Sequence, residues 1–231
     1  MSSKKPTTPS TTEPTAPVSR QQRRQELVKD SKSKSKKQYD RNKREMTIIK
    51  IVSGVLLAAL VLGLGYWIVT YLQDRNLNQE PEGVKVFTYV NNQHMDGDID
   101  YSAQPDYQGE VPPAGGAHNP TPQQCAVYTD EIRTENAVHS LEHGAVWITY
   151  QPTLPADQIQ ALTDIADGDD YILLSPYEGL PGPIVLTAWN HQLQLDSFDN
   201  ETVEQFLRSY KNKSGITPEF GASCAGVTTT K

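Results

Sequence analysis

The sequence predicts an α+β domain with a mainly antiparallel sheet and two or three helices, carried behind a single transmembrane helix. Three observations predict it. An uncharged apolar run extends from Ile51 to Leu72, the segments after it follow the order strand, helix, strand, strand, helix, and Gly and Pro punctuate the joints between them.

The apolar run is the strongest element. Its 22 residues hold no Asp, Glu, Lys, Arg or His. At 1.5 Å per residue they span roughly 30 Å, the thickness of a bilayer's hydrocarbon core. A cleaved signal peptide has a shorter apolar region close to the N-terminus, whereas about 50 residues precede this one, so a retained span is expected. Tyr66, Trp67 and Tyr71 stand at its C-terminal end as an interfacial aromatic belt does.

Charge gives the span a direction. Residues 1–50 hold 14 Lys/Arg against 5 Asp/Glu, and those after the run hold 7 against 23, so +9 precedes the span and −16 follows it within a total of −7. Lys43, Arg44 and Lys50 flank one end and Arg75 the other, so the N-terminus is expected in the cytoplasm and the acidic part on the outer side of the membrane. The expected organisation is a disordered basic cytoplasmic tail (1–46), a transmembrane helix (47–73), a linker (74–83), an extracytoplasmic α+β domain (84–226) and a short C-terminal tail (227–231). Residues 1 to about 18 are Ser, Thr and Pro with little to bury. The cluster Lys32-Ser-Lys-Ser-Lys-Lys37 suits anionic headgroups; without a folded reader or aromatic platform, no nucleic acid is expected as partner.

Beyond the membrane, Val84 to Val90 alternates as a short strand. Asn91 to Gln124 is a long loop crowded with Gly, Pro, Asn and Asp, a type of segment that more often carries function than not. Asp130 to His143 reads as a helix stopped by Gly144, and Ala145 to Tyr150 as a strand. Pro155 to Ala166 has Ile159, Leu162 and Ile165 at helical spacing. Tyr171 to Leu174 and Ile184 to Trp189 are strands, Gln192 to Leu195 extends the sheet, and Thr202 to Tyr210 is a final amphipathic helix.

Two cysteines in an oxidising compartment are expected to pair, Cys125 with Cys224, because little else would hold the Gly/Ser/Thr-rich tail. The chemistry-bearing residues are the histidines. His139-Ser-Leu-Glu142-His143 sets two imidazoles at i and i+4, on one helix face. His118 after Gly115-Gly116, and His94 with Met95, lie in the long loop within reach. His94, Met95, His118, His139 and His143 are therefore candidate ligands for copper or zinc. The ordinary alternative is a helix end whose histidines are hydrogen-bonded and interact with the dipole. H-x-x-E-H is also the inverted zinc-peptidase pattern, with Glu142 as base. No nucleophile-elbow serine or phosphate-cradling loop supports other catalysis, and no enzymatic activity is expected. In the span, Gly54, Ala58 and Gly65 share one face, a candidate packing stripe for another membrane helix.

The stretch Val138-His-Ser-Leu-Glu-His-Gly-Ala-Val-Trp-Ile-Thr-Tyr150 resembles a bacterial family of membrane-anchored proteins known only as a domain of unknown function. The likeness continues through Gly115-Gly-Ala-His118, Cys125 with Tyr128, Ser175-Pro-Tyr-Glu-Gly-Leu-Pro181, Ala188-Trp189 and Thr217-Pro-Glu-Phe-Gly-Ala-Ser-Cys224, covering about residues 84–226. It implies an envelope protein with an extracytoplasmic domain and no established activity. Where the family usually has Cys-Gly, this chain has Cys125-Ala126. The function expected is an accessory subunit or factor beside other integral membrane proteins, such as a respiratory or copper-handling complex. A zinc metallohydrolase and a purely structural docking protein are the alternatives.

Overall fold

The computed structural model describes residues 19–89, 92–228 and 230, which divide between two compact units, 1–68 and 69–231. The first consists of the long helix α1 (Arg20–Leu77), whose last turns belong to the second. α1 is long and apolar enough to cross a membrane and buries no residue. It begins much earlier than the sequence suggests. Ser19 starts it with a reciprocal cap, its Oγ accepting from the Gln22 N–H while Gln22 Oε1 accepts from the Ser19 N–H. The basic segment expected to be disordered is therefore helical from Arg20 onward; it contains no Gly or Pro, and Lys, Arg, Gln and Glu are good helix formers. Lys34 and Asp30, 2.7 Å apart, add an exposed i,i+4 pair. The expected disorder of residues 1–18 lies outside the described residues. Gly54, Ala58 and Gly65 lie on the exposed helix, with nothing within 4 Å of either glycine.

The second unit is an α+β domain around a five-stranded sheet of order β1-β5-β4-β2-β3. Its strands are β1 (Lys85–Val86), β2 (Val146–Tyr150), β3 (Ile172–Pro176), β4 (Ile184–Ala188) and β5 (His191–Leu195). All neighbours are antiparallel except β2 and β3, which the helix α3 (Ala156–Ala166) connects as a crossover. Every residue of β2, β3 and β4 is buried, as expected for strands covered on both faces. Val146 and Ile148 face one core with Leu162 of α3 and Val203, Phe206 and Tyr210 of α4 (Asn200–Tyr210). Trp147 and Leu173 face another with Ala137, Val138 and Leu141 of α2 (Thr134–Glu142) and loop residues Tyr89 and Tyr101.

Two boundaries differ from the sequence reading. β1 is two residues long and pairs only with His191 and Gln192, and the chain leaves the sheet to enter the long loop. α2 starts at Thr134 rather than Asp130, because the preceding residues are bonded elsewhere: Tyr128 N–H donates to Leu174 O at 2.8 Å beside β3, and Ile132 bridges to Thr230. α2 ends as expected. Gly144 has φ +104°, and the disulfide Cys125–Cys224 fastens the tail with Cα atoms 5.5 Å apart. Its loop of about 100 residues is worth up to about 4.7 kcal/mol in the chain-entropy account. Backbone bonds extend the fastening, from Cys125 N–H to Cys224 O at 3.0 Å and from Gln124 N–H to Val227 O at 2.8 Å.

A Cβ on Gly144 would sit 2.9 Å from the Asn212 Cα, against backbone that cannot step aside. Gly144→Ala is therefore expected to lower stability by about 1–3 kcal/mol from backbone strain, with the steric conflict added to it. Thermal unfolding of the full chain in detergent, followed by fluorescence of the buried Trp147, checks this; an unchanged melting temperature counts against it.

Candidate metal centre

α2 brings His139, Glu142 and His143 together, as the i,i+4 spacing requires. All nine of its residues are buried. His139 and Glu142 are 4% and 2% exposed, and His143, just past the helix end, is partly open. The long loop returns over this helix and supplies the rest. His118 N–H donates to Gln93 O at 3.0 Å and Met95 N–H donates to His118 O at 2.8 Å, a short parallel bridge that sets His94 beside His118.

Every imidazole of the group except exposed His94 is fixed by a backbone carbonyl at Nδ1. His118 Nδ1 lies 2.9 Å from Gly116 O, His139 Nδ1 2.6 Å from Asn119 O and His143 Nδ1 2.6 Å from Ser223 O. A carbonyl only accepts, so each Nδ1 carries the proton and each Nε2 keeps its lone pair when neutral. Metal-bound histidines are held in this way: the outer nitrogen is anchored, which fixes tautomer and ring direction. Gly116 is specific to the arrangement. It has φ +96°, and a Cβ on it would lie 3.0 Å from the Tyr89 ring.

The free nitrogens converge. His118 Nε2 is 3.0 Å from Glu142 Oε2 but not aligned as a hydrogen bond, which leaves a buried nitrogen without a partner. A lone pair facing a carboxylate at that distance is repulsive unless a proton or a cation lies between them. Asn92 Nδ2 donates to the other oxygen of Glu142 at 3.0 Å and turns the carboxylate inward. One ligand atom each from His94, His118, His139 and Glu142 lies within 4.8 Å of the others. Tetrahedral zinc or copper with bonds of about 2.0–2.2 Å needs its ligands roughly 3.3 Å apart, so the group would have to draw closer around an ion. His139, His143 and Glu219 form a second grouping of the same closeness, sharing His139.

Burial and charge favour ligand states. Burial pushes the His139 pKa down to about 4 from the ordinary 6.5, against the Asn119 carbonyl and together with His118, His143 and His94. Burial pushes the Glu142 carboxyl up, but contact with His118 and the bond from Asn92 outweigh it and hold it below its ordinary value. Both groups are then in the deprotonated forms that metals bind.

Of the residues named from sequence, His94, His118 and His139 meet at one point, and His143 meets His139 on its outer side. Met95 is 43% exposed and tied to the site through its backbone. Sequence reasoning left Glu142 out of the ligand set and missed Asn92 and Glu219. Glu219 was reachable: it stands five residues before Cys224, so pairing that cysteine with Cys125 returns it to the site.

Residues 93–226 match the family described as "Protein of unknown function (DUF3105)", and the chain belongs to that family. The match covers both arms of the disulfide and all the histidines of the site, and begins somewhat later than residue 84. No curated protein and no solved structure matches the chain.

The sign of the pH response follows from His139. Its folded value lies below the unfolded one, so neutral His139 contributes stability that is fully present above about pH 6.5 and is lost as pH falls toward about 4. At 1.36 kcal/mol per unit this amounts to on the order of 3 kcal/mol at most. The melting temperature of the metal-stripped protein should fall through that window, and His139→Gln should flatten the decline.

Proposed function

We propose that the protein is a membrane-anchored, extracytoplasmic binding domain that holds a late first-row transition ion, zinc or copper, through His94, His118, His139 and Glu142. The observation that carries this reading is the buried convergence of ligand atoms from His118, His139 and Glu142, with both imidazoles anchored at Nδ1. Three nitrogens and one carboxylate oxygen suit zinc or copper and suit calcium or magnesium poorly, since those ions take oxygen ligands. The apolar helix α1 supports the anchor, and the Cys125–Cys224 bridge supports an oxidising outer compartment. The positive flank then places the N-terminus in the cytoplasm.

The domain serves as an accessory factor rather than a hydrolase. A zinc peptidase needs a glutamate base free of the metal and an open coordination position on a cleft. Here Glu142 is 2% exposed and its carboxylate faces into the ligand group itself. Neighbouring integral proteins, of a respiratory or copper-handling complex, are the partners this reading assigns. The Gly54, Ala58 and Gly65 face of α1 offers a place for close helix approach.

Removing His118 or His139 from the full-length protein should abolish stoichiometric zinc or copper. The affinity loss should exceed the roughly 10–100-fold that follows loss of an outer-shell partner. Metal analysis after purification in detergent and dialysis against a weak chelator measures it. Metal content that is unchanged in His118→Ala and His139→Ala sinks the proposal. Capture of membrane partners by the tagged full-length chain tests the accessory role, and recovery of the protein alone counts against it.

A further inference from the structure

The structure assigns a second, outer cation position to His143 and Glu219, one that shares His139 with the inner position and feeds it. The inference rests on the metal-binding reading above and adds a route for the ion.

The two positions differ in access. The His118 and Glu142 side chains are 0% and 2% exposed, whereas those of His143 and Glu219 are 12% and 51% exposed. Exposed His94 marks one approach from solvent to the inner position, and the outer pair lies on the other, over His143. His143 is prepared as a ligand in the same way as its inner neighbours, with Nδ1 held 2.6 Å from Ser223 O. Its Nε2 lies 3.2 Å from Glu219 Oε2 and 3.0 Å from His139 Nε2. Two imidazole lone pairs that close repel each other, so a proton or a cation must lie between them, and the Glu219 carboxylate beside them favours either.

His139 connects the two. Its Nδ1 is committed to Asn119 O, so Nε2 is its one available donor, and a single lone pair serves one ion at a time. The inner and outer groups are therefore alternative addresses for the same ion. An ion bound by His143, Glu219 and His139 keeps its bond to His139 while the inner ligands replace the outer ones. The backbone holds the two carboxylates in register for this exchange, because Glu219 N–H donates to Glu142 O at 3.0 Å. No bond is made or broken other than coordination, and the ion keeps its charge. The cargo class is a divalent late first-row cation. The rim carboxylate and the net −16 of the residues beyond the span raise its local concentration.

The test uses the full-length protein in detergent with Co(II) as the probe, read by its visible absorption in stopped flow and at equilibrium. Wild type should take up one Co(II). Glu219→Gln and His143→Gln should still fill, but roughly tenfold or more slowly, the size of effect expected when a charged rim is lost. His118→Ala, which keeps no ion against a weak chelator, should bind Co(II) only weakly when the ion is in excess, and with a different spectrum, that of the outer position. Loading of both rim variants at the wild-type rate overturns the proposal, as does uptake of two ions by wild type. A His143→Gln protein that melts normally yet retains no ion makes His143 a permanent ligand and overturns it too. If wild type takes up no Co(II), both this inference and the metal-binding reading fall; if wild type fills and the rim variants match it, only this inference falls.

Discussion

The arrangement depends on a helix buried on every side. α2 has no face left for solvent, so each of its polar side chains needs a partner within the protein. The partners come from one piece of the long loop, whose alternate carbonyls meet three side chains of the helix. Asn119 O pairs with His139 Nδ1, Thr121 O accepts from Asn136 Nδ2 and Gln123 O accepts from Ser140 Oγ. Main-chain donors reinforce them, from Asn119 N–H to Glu135 O and Gln123 N–H to Asn136 O. The period of two along the loop is matched to the period of 3.6 along the helix at these three points. An unpaired group at any of them would cost about 1–3 kcal/mol, so loop and helix specify each other. His139 takes part twice: one nitrogen holds the loop and the other is left for chemistry.

The C-terminal tail is the third layer of the same device. It has little apolar surface of its own, and the disulfide with the short backbone bonds around it supplies what packing does not. Fastened there, the tail places the Ser223 carbonyl on His143 and the Glu219 carboxylate at the rim. The bridge stabilises the fold and also completes a site to which neither cysteine belongs.

The legible parts of the fold were those governed by local pattern. The apolar span, the strands β2 to β5, the helices α3 and α4 and the stop at Gly144 all follow from periodicity and turn chemistry. The i,i+4 spacing of His139 and His143 stood in plain sight for the same reason. What could not be read depends on long-range pairing. Asp130 to Arg133 have helical composition but stay outside the helix, because Tyr128 and Ile132, on either side of a bend at Asp130, bond to β3 and to the C-terminal residues. Val84 to Val90 alternates as a strand, yet among the described residues of that range, which end at Tyr89, only Lys85 and Val86 find a partner in β5. α1 extends beyond its apolar span because Lys, Arg, Gln and Glu combine the solvation expected of a disordered tail with high helix propensity, and Ser19 caps the start. Asn92 and Glu219 carry no local signal of their role, since only the folded loop and the disulfide bring them to His118 and His143.

The buried His118–Glu142 contact decides what the site can hold. With Nδ1 committed to Gly116 O, the point between Nε2 and the carboxylate must carry positive charge, and a proton and a metal ion compete for it. A proton there gives a buried imidazolium–carboxylate pair, whose desolvation cost offsets much of its attraction. A divalent ion in the same place would have His139, oriented by Asn119 O, and the exposed His94 within reach as further ligands. His139 is unavailable to the proton, because burial among three other imidazoles keeps it neutral. The chain presents here a largely buried group of imidazole lone pairs and one carboxylate that could hold a metal ion.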